Sequence, residues 1–247
     1  MVRYAIISDI HANLEALCAT LKDIKNQHVD KIICLGDVVG YYPDPNKCVS
    51  LCKKSGLISI RGNHDDAALE LCPIDNFNPI AQEALLWTAE HLKKENKEWL
   101  QLLPDHLVVD DDFLAVHGSP WDPYAYIFSS AGALRSFSYM RTNYPTISIC
   151  FFGHTHQKAL YTSDENSVEE VTQGTEYILG NSGLFLINPG SVGQSRDGIP
   201  GASYIIYHSE KRKIEFRHIP YDIETTQRKV RAAGLPMMLA ERLSLGY

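Results

Sequence analysis

Three times within the first 65 residues a short apolar, β-branched run gives way to a polar cluster, and this recurrence limits the chain to a sheet whose strand ends carry chemistry. Residues 2–7 lead into Ser8-Asp9-Ile10-His11, residues 32–35 into Gly36-Asp37, and residues 57–60 into Gly62-Asn63-His64-Asp65. Short apolar runs bounded by turn residues read as buried strands. An amide, an imidazole and a carboxylate in succession serve no core, so the third cluster reads as an active-site loop. Gly62 would let its backbone turn tightly, with positive φ if needed. Between the first two runs, Leu14, Leu17, Cys18, Leu21 and Ile24 mark one apolar helix stripe, which Asn13 either caps or leaves to reach the site. Asp44-Pro45 supplies an N-cap and a first-turn proline for a second helix running through Cys52. Such β-α-β alternation predicts neighbouring strands joined by right-handed crossovers, with their C-terminal ends on one sheet edge. Asp9, His11, Asp37, Asn63 and His64 would converge there.

The pattern returns later. Residues 113–116 run into His117-Gly118, and residues 147–152 into Gly153-His154-Thr155-His156. Asp9 with His11, and His154 with His156, are pairs two residues apart just past a strand. Each pair can point one way and offer oxygen or nitrogen atoms to a divalent ion. Five of the ten histidines lie at such strand ends, a concentration that core packing does not explain. Residues 66–105 read as mostly helical, with a stripe of Ile80, Ala84, Leu85, Trp87 and Leu92 and no chemistry. The connection from 118 to 145 is long, carries a helical stretch near 131–140, and reads as part of a lid. Strands at 203–207 and 214–217 suggest a hairpin, and residues 221–247 a pair of helices broken at Gly234-Leu235-Pro236. No linker, repeat or low-complexity tract interrupts the chain, so one domain spanning 1–247 is expected.

Composition excludes several roles. With 247 residues, 45% of them hydrophobic, the chain can bury a sizeable core. A net charge of -7 without any run of Lys or Arg argues against an extended grip on nucleic acid. Apolar stretches such as 149–152 are far too short to cross a bilayer, and Met1-Val2-Arg3 runs straight into a strand, so a cytoplasmic protein is expected. The six cysteines read as reduced core thiols. Cys48 and Cys52, on one helix face, read as packing rather than as a metal or redox pair.

Asp9-x-His11, Gly36-Asp37, Gly62-Asn63-His64-Asp65, His117 and Gly153-His154-x-His156, in this order, resemble the signature of the calcineurin-like metallophosphoesterases. The stretch 40–45 and Asn188-Pro189-Gly190-Ser191-Val192-Gly193 are similar to the compact bacterial and archaeal branch with diadenosine tetraphosphatase-like members. The resemblance implies a four-layer α/β/β/α sandwich of two mixed sheets. It implies one metal on Asp9, His11, Asp37 and His156, and a second on Asp37, Asn63, His117 and His154, with Asp37 bridging. Mixed imidazole and carboxylate ligands suit Mn, Fe, Zn, Co or Ni better than Ca, and Mn is the ion favoured for activity. Two such ions can share a hydroxide that attacks a phosphate ester or phosphoanhydride. By the same resemblance His64 is the non-ligand general acid that protonates the departing oxygen, oriented by Asp65. The Ser/Thr phosphatases of this superfamily follow the second motif with an Asp-Arg pair, which Val38-Val39-Gly40-Tyr41-Tyr42 replaces here, arguing against a dedicated phosphoprotein phosphatase. Substrate contacts are expected from Asn13 and Arg196, and Tyr41, Tyr42, Trp121, Tyr124 and Tyr126 could stack on a nucleobase. The expected partner is a small phosphorylated molecule, with monoesters, diesters and dinucleoside polyphosphates open. The alternative is a non-catalytic, metal-binding interaction scaffold of the same fold.

Overall fold

The computed structural model describes residues 2–163, 168–170 and 174–247; Met1 lies outside them. Its strands form two six-stranded mixed sheets. The first runs in the order β3 (Ile58–Ser59), β2 (Lys31–Cys34), β1 (Arg3–Ile7), β11 (Ala202–His208), β12 (Lys213–Ile219) and β9 (Glu176–Ile178). The second runs β4 (His106–Val109), β5 (Phe113–Val116), β6 (Ile149–Phe151), β10 (Leu184–Pro189), β7 (Lys158–Ser163) and β8 (Val168–Glu170). β1, β2 and β3 are parallel, as are β5, β6 and β10, so their C-terminal ends share an edge within each sheet. The β11–β12 hairpin forms as its alternation suggests, antiparallel from Ala202 opposite Ile219 to His208 opposite Lys213.

Side-chain alternation along β1 explains the layering. Tyr4 and Ile6 point into a core shared with Phe113, Ile149 and Phe151 of the second sheet and with Tyr207. Ala5 and Ile7 point the other way, into a core with Ala16 and Leu17 of α1 (Leu14–Asn26) and Cys48, Val49 and Cys52 of α2 (Pro45–Lys54). The inter-sheet layer is aromatic, with Tyr4 edge-on to Phe113 at 5.1 Å and Phe113 edge-on to Phe151 at 5.0 Å. The outer face of the second sheet is covered by Ala133, Phe137 and Met140 of α6 (Ser130–Asn143). These are the four layers α/β/β/α.

α3 (Asn63–Ala68) begins on the third polar cluster, and α4 (Pro79–His91) and α5 (Lys94–Gln101) follow it. At the chain's end, α7 (Ile223–Ala232) and α8 (Met237–Glu241) pack with Ala81 and Ala84 of α4 around Tyr41 and Tyr42. Lys229 of α7 pins this assembly by hydrogen bonds to Glu15 of α1 and to Asp44.

Several local readings change. Asp44 precedes α2 without a side-chain cap bond, because its carboxylate binds Lys47 and Lys229 instead. Cys18 of the α1 stripe is exposed, while Cys34, Cys48, Cys52 and Cys150 are buried thiols. The helix expected in a lid is α6, which is committed to the outer face of the second sheet; only the loop ahead of it reaches the site. Among the described residues, no helix is long and apolar enough to cross a membrane.

Candidate metal centre

The loops that leave the parallel strands are bonded to one another. Asp9 N–H donates to the Gly36 carbonyl, His11 N–H to that of Asp37, and Ala12 N–H to that of Val38. From the other sheet, Gly153 N–H donates to the His117 carbonyl. The segment after β10 then straps the first loop, since Val192 and Gly193 N–H bond the carbonyls of Ser8 and Asp9, and Ser191 Oγ bonds the Asp9 carbonyl. Asp9, His11, Asp37, His154 and His156 all sit at φ between 51° and 65°, a left-handed conformation costing roughly 1–3 kcal/mol each for a non-glycine residue. The interlocked loops hold that strain in place.

Gly62 corrects the sequence reading of its own role. Its φ is -108°, open to any residue. What excludes a side chain is proximity: a Cβ there would lie 2.5 Å from Asp37 N and 2.8 Å from its Cγ, and closer still to Oδ1. Gly36 is required on both counts, with φ +94° and its would-be Cβ 2.6 Å from Gly62 N.

Strand ends of both sheets thereby bring seven side chains together, all buried. His11 Nε2 lies 3.0 Å from His156 Nε2 and 3.5 Å from Asp37 Oδ2, and His156 Nε2 lies 3.3 Å from Asp9 Oδ1. His117 Nε2 stands 3.3 Å from Asp37 Oδ2 and 3.0 Å from Asn63 Oδ1. Three groups of ligand atoms, each within 4.8 Å of one another, could hold metal ions: Asp9, His11 and His156; Asp37, His117 and His154; and His11, Asp37 and His64. The other ring nitrogens face backbone carbonyls, Nδ1 of His11, His117 and His156 on Val39, Leu35 and Gln194, and Nε2 of His154 on Tyr124. Donation to a carbonyl fixes the tautomer and leaves the inward nitrogen a lone pair.

These residues fit a cation. Asp9 Oδ1 and Asp37 Oδ2 are buried acceptors without a hydrogen-bond partner, although their second oxygens accept from His154 N–H and His64 N–H. Two inward lone pairs 3.0 Å apart, on His11 and His156, repel unless a positive charge lies between them. Burial disfavours the ionised form of both carboxyls, yet the facing imidazoles, His156 at Asp9 and His117 at Asp37, hold them below the usual range. Burial likewise works against a charged His117, and the Asp37 carboxylate overrides it, raising the ring to about 10. An anionic pocket that draws a proton so strongly draws a divalent ion in the same way.

The remaining expectations separate. His64 borders Asp37 and His11, its ring 4.6 Å from that of His11 and 4.5 Å from that of Tyr41. Burial lowers it to about 4. Asp65 was expected to orient it, but its oxygens accept from Val39 N–H and Gly62 N–H, so it ties the second loop to the third. Burial and the Asp37 charge raise Asp65 to about 7. Asn13 is spent as a cap, its Oδ1 accepting from Ala16 N–H and its Nδ2 donating to the Gly193 carbonyl and Tyr221 hydroxyl, so it has no group left for substrate. Arg196 follows the strap, its N–H on the His156 carbonyl, its Nη2 on Gln194 Oε1 and its buried Nε without a partner. Tyr42 is buried against Gln194, and Trp121 carries Arg135 on its face at 3.4 Å; neither lines the site. Tyr41, Tyr124 and Tyr126 do. Sequence reasoning missed the segment after α3, where Cys72, Phe77 and Asn78 border His64 within the stretch read as free of chemistry. No periodic signal marks that segment, and only the fold of α3 onto α4 brings it to the site.

The calcineurin-like phosphoesterase superfamily domain matches residues 2–212. The chain belongs to that superfamily. An uncharacterised protein of Methanocaldococcus jannaschii is 39% identical over 98% of this chain and 97% of its own length. The crystal structure of a metallophosphoesterase from Sphaerobacter thermophilus is 38% identical, covers 100% of this chain and 99% of that one, and superposes with a TM-score of 0.83. A hypothetical protein from Pyrococcus horikoshii, 20% identical over 100% of this chain and 99% of that one, shares the fold with a TM-score of 0.81. Family membership supports a metal-dependent phosphoester hydrolase, and among the described residues its buried Asp and His groups could hold the metal.

Proposed function

We propose that this chain hydrolyses a small phosphate ester or phosphoanhydride using two divalent ions, one on Asp9, His11, Asp37 and His156, the other on Asp37, Asn63, His117 and His154. The observation that carries the reading is the pair of orphaned carboxylate oxygens, Asp9 Oδ1 and Asp37 Oδ2, facing the imidazoles of His11 from the first sheet and His117 and His156 from the second. When bound, the ions would supply an attacking hydroxide near neutral pH and neutralise charge on the phosphoryl oxygens. The chain's own groups do the rest. His64, beside Asp37 but outside the two ligand sets, protonates the departing oxygen. Burial lowers its ring to about 4, and an anionic phosphoryl group next to it acts in the opposite direction. Arg196, with its buried unpartnered Nε, meets a phosphate oxygen beside Tyr41. Asp65 acts indirectly, by fixing Gly62 and hence the approach of His64 to Asp37.

The test is hydrolysis by metal-stripped protein, with Mn²⁺ restored, of p-nitrophenyl phosphate, its bis-ester and diadenosine tetraphosphate side by side. Metal-dependent turnover of any of the three supports the reading, and the preferred one fixes the reaction class. Silence on all three with two ions bound per chain overturns it in favour of a metal-binding scaffold.

A further inference from the structure

A cavity of about 230 Å³ opens directly off the metal-ligand cluster, bordered by Asn63, His64 and His154. Its walls are Tyr41, Phe77 and Tyr124 with the edge of Tyr126, whose two faces are taken by His154 at 3.8 Å and Phe128 at 4.9 Å. Phe77 stands edge-on to His64 at 5.1 Å. Two amides complete the rim: exposed Asn76, and Asn78, whose Oδ1 caps α4 through Ala81 N–H and whose Nδ2 stays available. Among the described residues, no Lys, Arg, Asp or Glu lines this cavity. Arg196 is not part of the lining, its Nη2 lying behind the Tyr41 wall at 3.5 Å from the Tyr41 hydroxyl.

A lining without a cationic side chain disfavours a second phosphate, whose charge would be desolvated and poorly paired. Aromatic walls with amides at the rim instead suit a neutral planar heterocycle, which stacks and offers donors and acceptors at its edge. The volume falls below the roughly 300–1,000 Å³ of drug-sized sites, room for one ring-bearing group and not for a peptide. The group facing His64 is the one whose oxygen departs. We propose that this cavity is the leaving-group pocket and that it selects an uncharged nucleoside, so that esters with a nucleoside leaving group are preferred over substrates that must expel a further phosphate. This rests on the phosphoesterase reading above. In the step, a water oxygen bonds to phosphorus, the ester P–O bond breaks with its electron pair on the nucleoside oxygen, and that oxygen takes a proton from His64. The neutral nucleoside and a phosphate product result, the attacking water's proton passes to solvent, and His64 regains a proton from solvent. A dinucleoside tetraphosphate would instead place anionic phosphates against Phe77 and Tyr124.

Calorimetric titration of the Mn²⁺-loaded full chain with adenosine, together with adenosine inhibition of bis(p-nitrophenyl) phosphate hydrolysis, tests the proposal. Adenosine should bind one per chain and inhibit competitively, ribose should do neither, and Phe77→Ala should weaken adenosine at least tenfold. Asn76→Lys, which sets a cation on the exposed rim, should raise kcat/KM for diadenosine tetraphosphate relative to the bis-ester at least fivefold. Absence of adenosine binding at millimolar concentration while hydrolysis proceeds overturns the pocket assignment. An unmodified chain that already prefers diadenosine tetraphosphate over the bis-ester tenfold does the same. Adenosine binding without any metal-dependent hydrolysis overturns the phosphoesterase reading and with it the leaving-group role, leaving only a nucleoside-binding cavity.

Discussion

Gly62→Ala isolates the packing that holds Asp37 in the cluster. Because the backbone at Gly62 has φ -108°, alanine meets no conformational penalty there, and the whole effect comes from contact. The new methyl would stand 2.5 Å from Asp37 N and 2.8 Å from Asp37 Cγ, where ordinary contact begins at 3.4 Å. Something must therefore yield by close to an ångström. The yielding group is the Asp37 carboxylate, which also loses its bond from His64 N–H. A displacement of about 1 Å at a reacting centre costs on the order of 10²-fold in rate, and overpacking costs about 1–3 kcal/mol of stability. For a chain of this size that is a Tm lower by about 2–12 °C. Melting by circular dichroism, Mn²⁺ affinity by calorimetry, and bis-ester hydrolysis read the three consequences together. Retention of wild-type affinity and of activity within a few-fold, in a variant that folds, would refute the argument that Asp37 must stand where the glycine permits it.

Other outcomes follow from the same geometry. His64→Ala should lower turnover about 10²–10⁴-fold with two ions still bound; equal loss of metal would make His64 a ligand. Saturating Mn²⁺ at a hundred times its Kd should stabilise the metal-stripped chain by about 2.7 kcal/mol per ion, a rise of about 5–11 °C in Tm, whereas Asp37→Ala should abolish most of that rise. Acid should loosen the C-terminal helices. Burial alone would raise the Asp44 carboxyl, but hydrogen bonds from Lys229 and Lys47 outweigh it and hold the group below 3.8. A depressed carboxyl contributes stability that is present above pH 3.8 and lost as pH falls through its lower folded value. Lys229→Met should flatten that acid limb in a pH series of melting curves, and an unchanged limb would rule out this ion pair as its source.

The sequence by itself determined the strand ends and which polar side chains gather just beyond them. Short β-branched runs can only be buried strands, and histidines, carboxylates and an amide placed just beyond them have no apolar purpose, so Asp9, His11, Asp37, Asn63, His117, His154 and His156 were legible one by one. The two-sheet layering came from family resemblance, and alternation such as Tyr4 and Ile6 against Ala5 and Ile7 acquires its meaning only when a second sheet is present. What the tertiary structure alone decided is how each polar group is spent. Asn13 and Asp65 carry the same chemistry as a substrate contact or an orienting carboxylate, yet Gly193 and Tyr221 claim the first and Val39 and Gly62 the second. Asp44 gives up its cap to Lys229, 185 residues away. Phe77 and Asn78 become pocket walls because α3 turns the chain back past His64. A side chain's identity fixes which bonds it can make, but only the distances set by folding choose among partners far apart in sequence.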